Sequence, residues 1–371
     1  MPANDEHVIT MTNNALMEPF ARGALRLRNR VVMAPMTRCR ATADHVPTEL
    51  MAAYYAQRAT AGLIITEGTS PSPDGLGYAR IPGLYAQEHV AAWHKIAQAV
   101  HTRGGSIFVQ LMHTGRVSHA LNMPQGARTI APSAVAPSGT MWTDQQGMQP
   151  YAVPAVMTES DIAQVIDEFS TSAALAIEAG FDGVELHGAN GYLIDQFLNT
   201  ASNQRQDRWG GSIENRARFA IEVAQAVAYR IGASRTGIRL SPYGVFNDMM
   251  PDADMEALYE YLARQFSQLG LAYLHIVDHS SMGAPEVPAA VKSTIRDVFR
   301  GTIILSGGYD AARADADLRA GKGDLVAFGR PFLANPDLVQ RLKNNVALTQ
   351  SDPGTFYTPG ETGYTDYPAV C

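Results

Sequence analysis

The 371 residues carry 36 acidic and 29 basic side chains, a formal charge of −7 at pH 7 that leaves no electrostatic case for binding nucleic acid. Only four of the cations are lysines, Lys95, Lys292, Lys322 and Lys343, against 25 arginines, so lysine-dependent catalysis has few candidates. Residues are 46% apolar and 18% charged, enough for a large core, yet no run of about 18 apolar residues offers a membrane span. Cys39 and Cys371 are too few and too far apart for a CxxC metal pair, a disulfide framework or a cysteine-held iron–sulfur cluster. Together with the lack of an apolar leader in the first thirty residues, this points to a reducing, cytoplasmic location.

In chain order, residues 1–15 are polar and unpatterned and are expected to form a flexible extension, with Met11 a second candidate start. Eight short, continuous apolar runs follow, at residues 30–35, 62–67, 106–111, 181–187, 236–241, 272–277, 302–307 and 324–329, as buried parallel strands require. Amphipathic stretches alternate with them. After Thr158, for example, Ile162, Val165, Ile166, Phe169, Ala173, Ala176 and Ile177 form one stripe that stops at Gly180, and the segment from Ser212 to Arg230 behaves likewise. No G-x-G-x-x-G loop follows an early strand, which argues against an open Rossmann sheet, and no Pro/Gly/Ser-rich linker divides the chain. The pattern predicts an α/β fold, a (β/α)8 TIM barrel, as a single domain over residues 16–371. Its surplus length lies mainly in residues 112–158, an insertion after strand 3 expected to cap the mouth.

In such a barrel the chemistry stands at the C-terminal strand ends. Those ends offer Thr37 and Arg38, Glu67 and Gly68, Gln110 and His113, then His187, Asn190 and Tyr192 in HGANGY, and Arg239 within GIRLSP. The last two strands end in Gly307 with Gly308 and in Gly329 with Arg330, bare backbone N–H groups beside an arginine, as a phosphate site requires. An inward arginine needs a negative partner. A phosphorylated heteroaromatic cofactor such as flavin mononucleotide fits this set, and a sugar-phosphate substrate is the other reading. None of the four lysines stands at a strand end, so a Schiff-base aldolase is excluded, and Glu67 with His187 is too thin a cluster for a metal. His187 and Asn190 suit two neutral donors to one carbonyl oxygen, and Tyr192, a phenol with ordinary pKa near 10, suits a proton donor to a carbanion.

NRVVMAPMTRCRA, ITEGT, LGYARIPGLY, VQLMHTGR, FDGVELHGANGYLIDQFLNTASNQRQDRWGGSIENR, GIRLSP, AFGRPFLANPDL and GYTDYP, in this order from about Leu16 to Pro368, resemble the Old Yellow Enzyme family of FMN-dependent alkene reductases. The resemblance implies that NADPH or NADH reduces a non-covalent FMN and departs. An α,β-unsaturated carbonyl compound or similar activated alkene then takes hydride from flavin N5 at its β-carbon. His187 and Asn190 would hold the substrate carbonyl and Tyr192 protonate the α-carbon. Pro35, Met36, Thr37, Gly68, Gln110, Arg239, Gly307, Gly308, Gly329 and Arg330 would bind the cofactor, and Tyr78, Met112 and Tyr357 would line the substrate pocket. Met112 stands where many relatives carry tryptophan, implying a wider pocket, and Thr37 marks the threonine-type branch, so Cys39 has no flavin role. Larger relatives with an iron–sulfur cluster are excluded by length and cysteine count. Nitro compounds, nitrate esters and quinones remain alternative acceptors on the same site, and a non-redox phosphate-binding barrel enzyme or an inert flavin-storage protein the other classes. A monomer or homodimer is expected.

Overall fold

The computed structural model describes residues 14–370. Eight parallel strands close a barrel: β1 Val31–Met33, β2 Leu63–Thr69, β3 Ile107–Leu111, β4 Gly183–Gly188, β5 Thr236–Leu240, β6 Tyr273–Val277, β7 Thr302–Ser306 and β8 Leu325–Phe328, with β8 pairing back onto β1. All eight are buried from end to end, because helices cover their outer faces and side chains fill the inside. The eight windows expected from the apolar runs each overlap one of these strands, with ends that differ by no more than two residues.

The covering helices are α1 Glu49–Gln57, α2 Gln87–Thr102, α3 Glu159–Glu178, α4 Ile213–Ile231, α5 Met255–Leu269, α6 Ala289–Val298, α7 Ala311–Arg319 and α8 Leu338–Asn344, with short extra helices at Leu193–Leu198 and Arg330–Ala334. Their ends are written in the sequence. Thr158 and Asp161 form a reciprocal capping box that starts α3, the Ser212 hydroxyl accepts from Asn215 N–H to start α4, and Gly270 at φ 72° ends α5 in the left-handed region that only glycine enters freely. Of the extension expected over residues 1–15, residues 1–13 lie outside the described ones. Asn14 and Ala15 belong to the fold: Asn14 caps a turn and Ala15 N–H donates to Asp315 at 2.7 Å.

The two ends of the barrel differ. A hairpin, Phe20–Arg22 with Leu25–Leu27, packs Phe20, Leu25 and Leu27 onto the lower barrel interior with Phe108, Tyr273 and Leu325, closing that end with apolar side chains. At the other end lies residues 112–158, which include a second hairpin, Thr140–Thr143 with Gly147–Pro150. It is tied down by the Arg80–Asp144 ion pair, by Asn122 Nδ2 donating to the Trp142 carbonyl at 2.8 Å, and by Ser138 Oγ donating to Asp248 at 2.8 Å. Near the C-terminus, residues 355–363 cross to the same end, where the buried Arg38 and Arg40 donate to the carbonyls of Thr355, Phe356, Gly360, Thr362 and Gly363 at 2.7–3.2 Å. Among the described residues no helix is long and apolar enough to cross a membrane.

Candidate active site

A cavity of about 900 Å³ opens at the C-terminal strand ends. Strand register builds its floor. Gln110 sits beside Glu185 across β3 and β4, while His187, Arg239 and His275 stand in line across β4, β5 and β6. Glu185 and His187 are two apart on one strand and so share a face. Glu185, with no exposed surface, accepts from Gln110 Nε2 at 2.8 Å and pairs with His275 Nδ1 at 2.9 Å. Arg239 is only 6% exposed, and its guanidinium has no hydrogen bond or ion pair among the described residues. Burial lowers its pKa, and Glu185 is the largest influence opposing that shift. A fixed cation with unmet donors beneath an open cavity is a site for a group rich in acceptors.

The catalytic candidates share one wall. Tyr192 and Tyr78 hydroxyls are 3.0 Å apart, and the Tyr192 ring meets His187 edge-on at 4.9 Å between centroids. Burial pushes Tyr192 up to about 12, so its phenol holds its proton at neutral pH. Burial, with Arg239 second, holds His187 well below its ordinary value, so the imidazole is neutral, and its Nδ1 is buried without a partner. Asn190 occupies the left-handed region at φ 60°. Its turn is pinned from below: Asn190 N–H donates to Ser241 Oγ at 2.9 Å and Gly191 N–H to the buried Asp195 at 2.8 Å. Desolvation raises Asp195 to about 7.

At the far end of the cavity, Gly307 at φ 128° and Gly308 at φ 60° bare their backbone beside Gly329 and the exposed Arg330. A Cβ on Gly308 would stand 2.6 Å from Ser281 Cβ, and one on Gly307 would run into the Asp278 carbonyl. Only glycine fits there, which leaves N–H groups open to an anion.

Pro35, Met36, Thr37, Gln110, Arg239, Gly307, Gly308, Gly329 and Arg330 all line this cavity, as do His187, Asn190, Tyr192, Tyr78 and Tyr357. Two expected residues do not. Gly68 is buried within β2 beside Gln110, and Met112, 1% exposed, packs behind it in a cluster with Cys39, Leu76 and Ile81. A Cβ on Gly68 would lie 2.5 Å from Met112 Sδ, so the thioether fills the room that glycine leaves. Tyr78 and Tyr192 of the cavity wall pack against this cluster, so Met112 stands directly behind them. Cys39 does border the cavity, but burial pushes its thiol up to about 12 and leaves it unreactive. Among the described residues no cluster of three His, Cys, Asp or Glu side chains is placed to hold a metal.

Sequence reasoning passed over Glu185, His275, His279, Asp195 and the insertion residues Trp142, Met148 and Tyr151 that border the cavity. For Glu185 and His275 a signal existed, since each is an ionisable group inside an otherwise apolar stretch, VEL and YLHIV. His279 carried none.

A barrel with an unmet cation on its floor, an anion cradle after strands 7 and 8 and a neutral donor wall suits a phosphorylated ring compound. The sequence matches the NADH:flavin oxidoreductase / NADH oxidase family over residues 15–349. It is 43% identical over 359 residues to a probable flavin mononucleotide-dependent alkene reductase of Leishmania infantum, covering 96% of this chain and 97% of that one. Morphinone reductase superposes with a TM-score of 0.93 at 44% identity, covering 97% and 98% of the two chains, and has also been solved with tetrahydroNAD. An old yellow enzyme homologue from Zymomonas mobilis superposes with a TM-score of 0.91 at 41% identity, covering 96% and 100%. The chain belongs to the NADH:flavin oxidoreductase / NADH oxidase family, the Old Yellow Enzyme family that its motifs resemble.

Proposed function

We propose that this oxidoreductase is an NAD(P)H-dependent, FMN-containing ene-reductase that saturates the double bond of α,β-unsaturated carbonyl compounds and similar activated alkenes. The observation that carries it is the wall of His187, Asn190 and Tyr192, neutral donors facing one cavity above the unmet Arg239. The residues present fit FMN. Gly307, Gly308, Gly329 and Arg330 would hold its phosphate, Arg239 and Gln110 the pyrimidine edge, and Pro35, Met36 and Thr37 the ring. Bound there and reduced by NADPH or NADH, FMN supplies the hydride.

The chain's own groups do the rest. Neutral His187 and the Asn190 amide donate to the carbonyl oxygen and stabilise the negative charge that develops on it. Tyr192, protonated at neutral pH and linked to Tyr78, delivers the proton to the α-carbon. The insertion 112–158 acts as a cap within a single domain, because Trp142, Met148 and Tyr151 from it border the mouth. The cysteine-poor sequence supports a cytoplasmic setting.

Tyr192→Phe tests the assignment. Reduction of an enone by pre-reduced holoenzyme is expected to slow about a hundredfold or more. Reduction of the holoenzyme by NADPH should stay at the wild-type rate. Equal slowing of both half-reactions would remove Tyr192 as proton donor, and purified protein that retains no FMN would remove the whole reading.

A further inference from the structure

An asparagine amide presents a donor and an acceptor of nearly the same shape, and only its NH₂ end serves a carbonyl or enolate oxygen. Turned the other way, Asn190 would aim a lone pair at the substrate oxygen and oppose the charge it has to stabilise. Something has to fix that choice. The backbone of Asn190 is held on both sides, its N–H by Ser241 Oγ and its carbonyl by Asn247 Nδ2 at 2.7 Å, but neither bond sets the side-chain amide.

His279 does reach the amide. It follows β6 by two residues, is 9% exposed, borders the cavity, and is braced by the edge of Phe246 at 4.6 Å between centroids. Its Nε2 lies 2.7 Å from Asn190 Oδ1, while Asn190 Nδ2 has no protein partner among the described residues. A carbonyl-type oxygen only accepts, so this contact requires the proton on Nε2. Burial, with Arg239 second, pushes His279 down to about 4, so at neutral pH the ring is uncharged and carries one N–H.

We propose that His279 is a positioning residue whose Nε2–H holds Asn190 Oδ1, leaving the Asn190 NH₂ as the group presented to the ligand oxygen. The bond also polarises the amide and makes that NH₂ a stronger donor. This rests on Asn190 being an oxygen-binding donor, as set out under the proposed function.

Binding of p-cresol to oxidised holoenzyme, followed by calorimetry, tests it with four variants. Asn190→Ala is expected to weaken binding about tenfold and His279→Ala about fivefold, the scale of one hydrogen bond. His279→Gln, whose amide NH₂ reaches the position of Nε2–H, is expected within about twofold of wild type. The double variant N190A/H279A is expected to bind as Asn190→Ala does, because the two residues act through one group. If Asn190→Ala weakens binding but His279→Ala does not, if losses multiply in the double variant, or if His279→Gln is as weak as His279→Ala, the role of His279 is overturned and that of Asn190 stands. If Asn190→Ala binds as wild type, the oxygen-binding role of Asn190 itself is overturned.

Discussion

Arg58 and Arg239 are both buried arginines, and they have opposite surroundings. Arg58, with no exposed surface, donates to the carbonyls of Phe332, Tyr54 and Leu333 at 2.8 Å and lies 3.8 Å over the Tyr54 ring. Arg239 has no protein partner among the described residues, although Arg116 and Arg216, which also leave Nε unmet, bond through their terminal nitrogens. A buried cation whose donors are saturated is part of the architecture. One whose donors are unmet is stable only with a bound group, so the absence of partners marks the site more sharply than burial does.

That contrast can be broken most severely at Arg58. Arg58→Ala is expected to cost about 4 kcal/mol of stability in denaturant unfolding, since it leaves several buried carbonyls unmet. The fraction that folds should still hold FMN with wild-type affinity, and weakened binding would erase the contrast. Arg239→Met should do the reverse, weakening FMN about a hundredfold by fluorescence titration, or about 2.7 kcal/mol. The flavin-free protein should lose no stability, because an uncompensated buried charge has gone. A large fall in its unfolding midpoint would show that Arg239 is structural after all.

A dependence on pH extends the contrast to a buried acid. Asp195 ionises near 3.8 in an unfolded chain but is raised to about 7 in the fold, so between these values the native state holds a proton that the unfolded state has lost. Its contribution to stability is therefore complete below about pH 4 and is lost as pH rises to about 7. Asp195→Asn keeps an acceptor for Gly191 N–H and should flatten the fall in stability between about pH 4 and pH 7, by about 1.4 kcal/mol per pH unit. An unchanged slope would assign it to another group, Glu67 first, which burial also raises to about 7.

The barrel was legible because its strands are covered on both faces, and such strands are uniformly apolar runs that need no partner to be recognised. The individual site residues at strand ends, Arg239 and His187 among them, were legible for the complementary reason that a polar group stands out in such a run. Relations between strands were not. Glu185 and His275 meet only through the register of β4, β5 and β6, and His279 reaches Asn190 across 89 positions of sequence.

The clasp of Arg38 and Arg40 on residues 355–363 imposes an order on assembly. During synthesis these arginines emerge more than 300 residues before the carbonyls that receive them. Until then these guanidinium donors lack their carbonyl partners, so the rim that carries Tyr357 cannot set before residues 355–363 are in place. A nascent chain with all eight strands already exposed from the ribosome is a barrel without a finished entrance, and catalysis waits on its final thread.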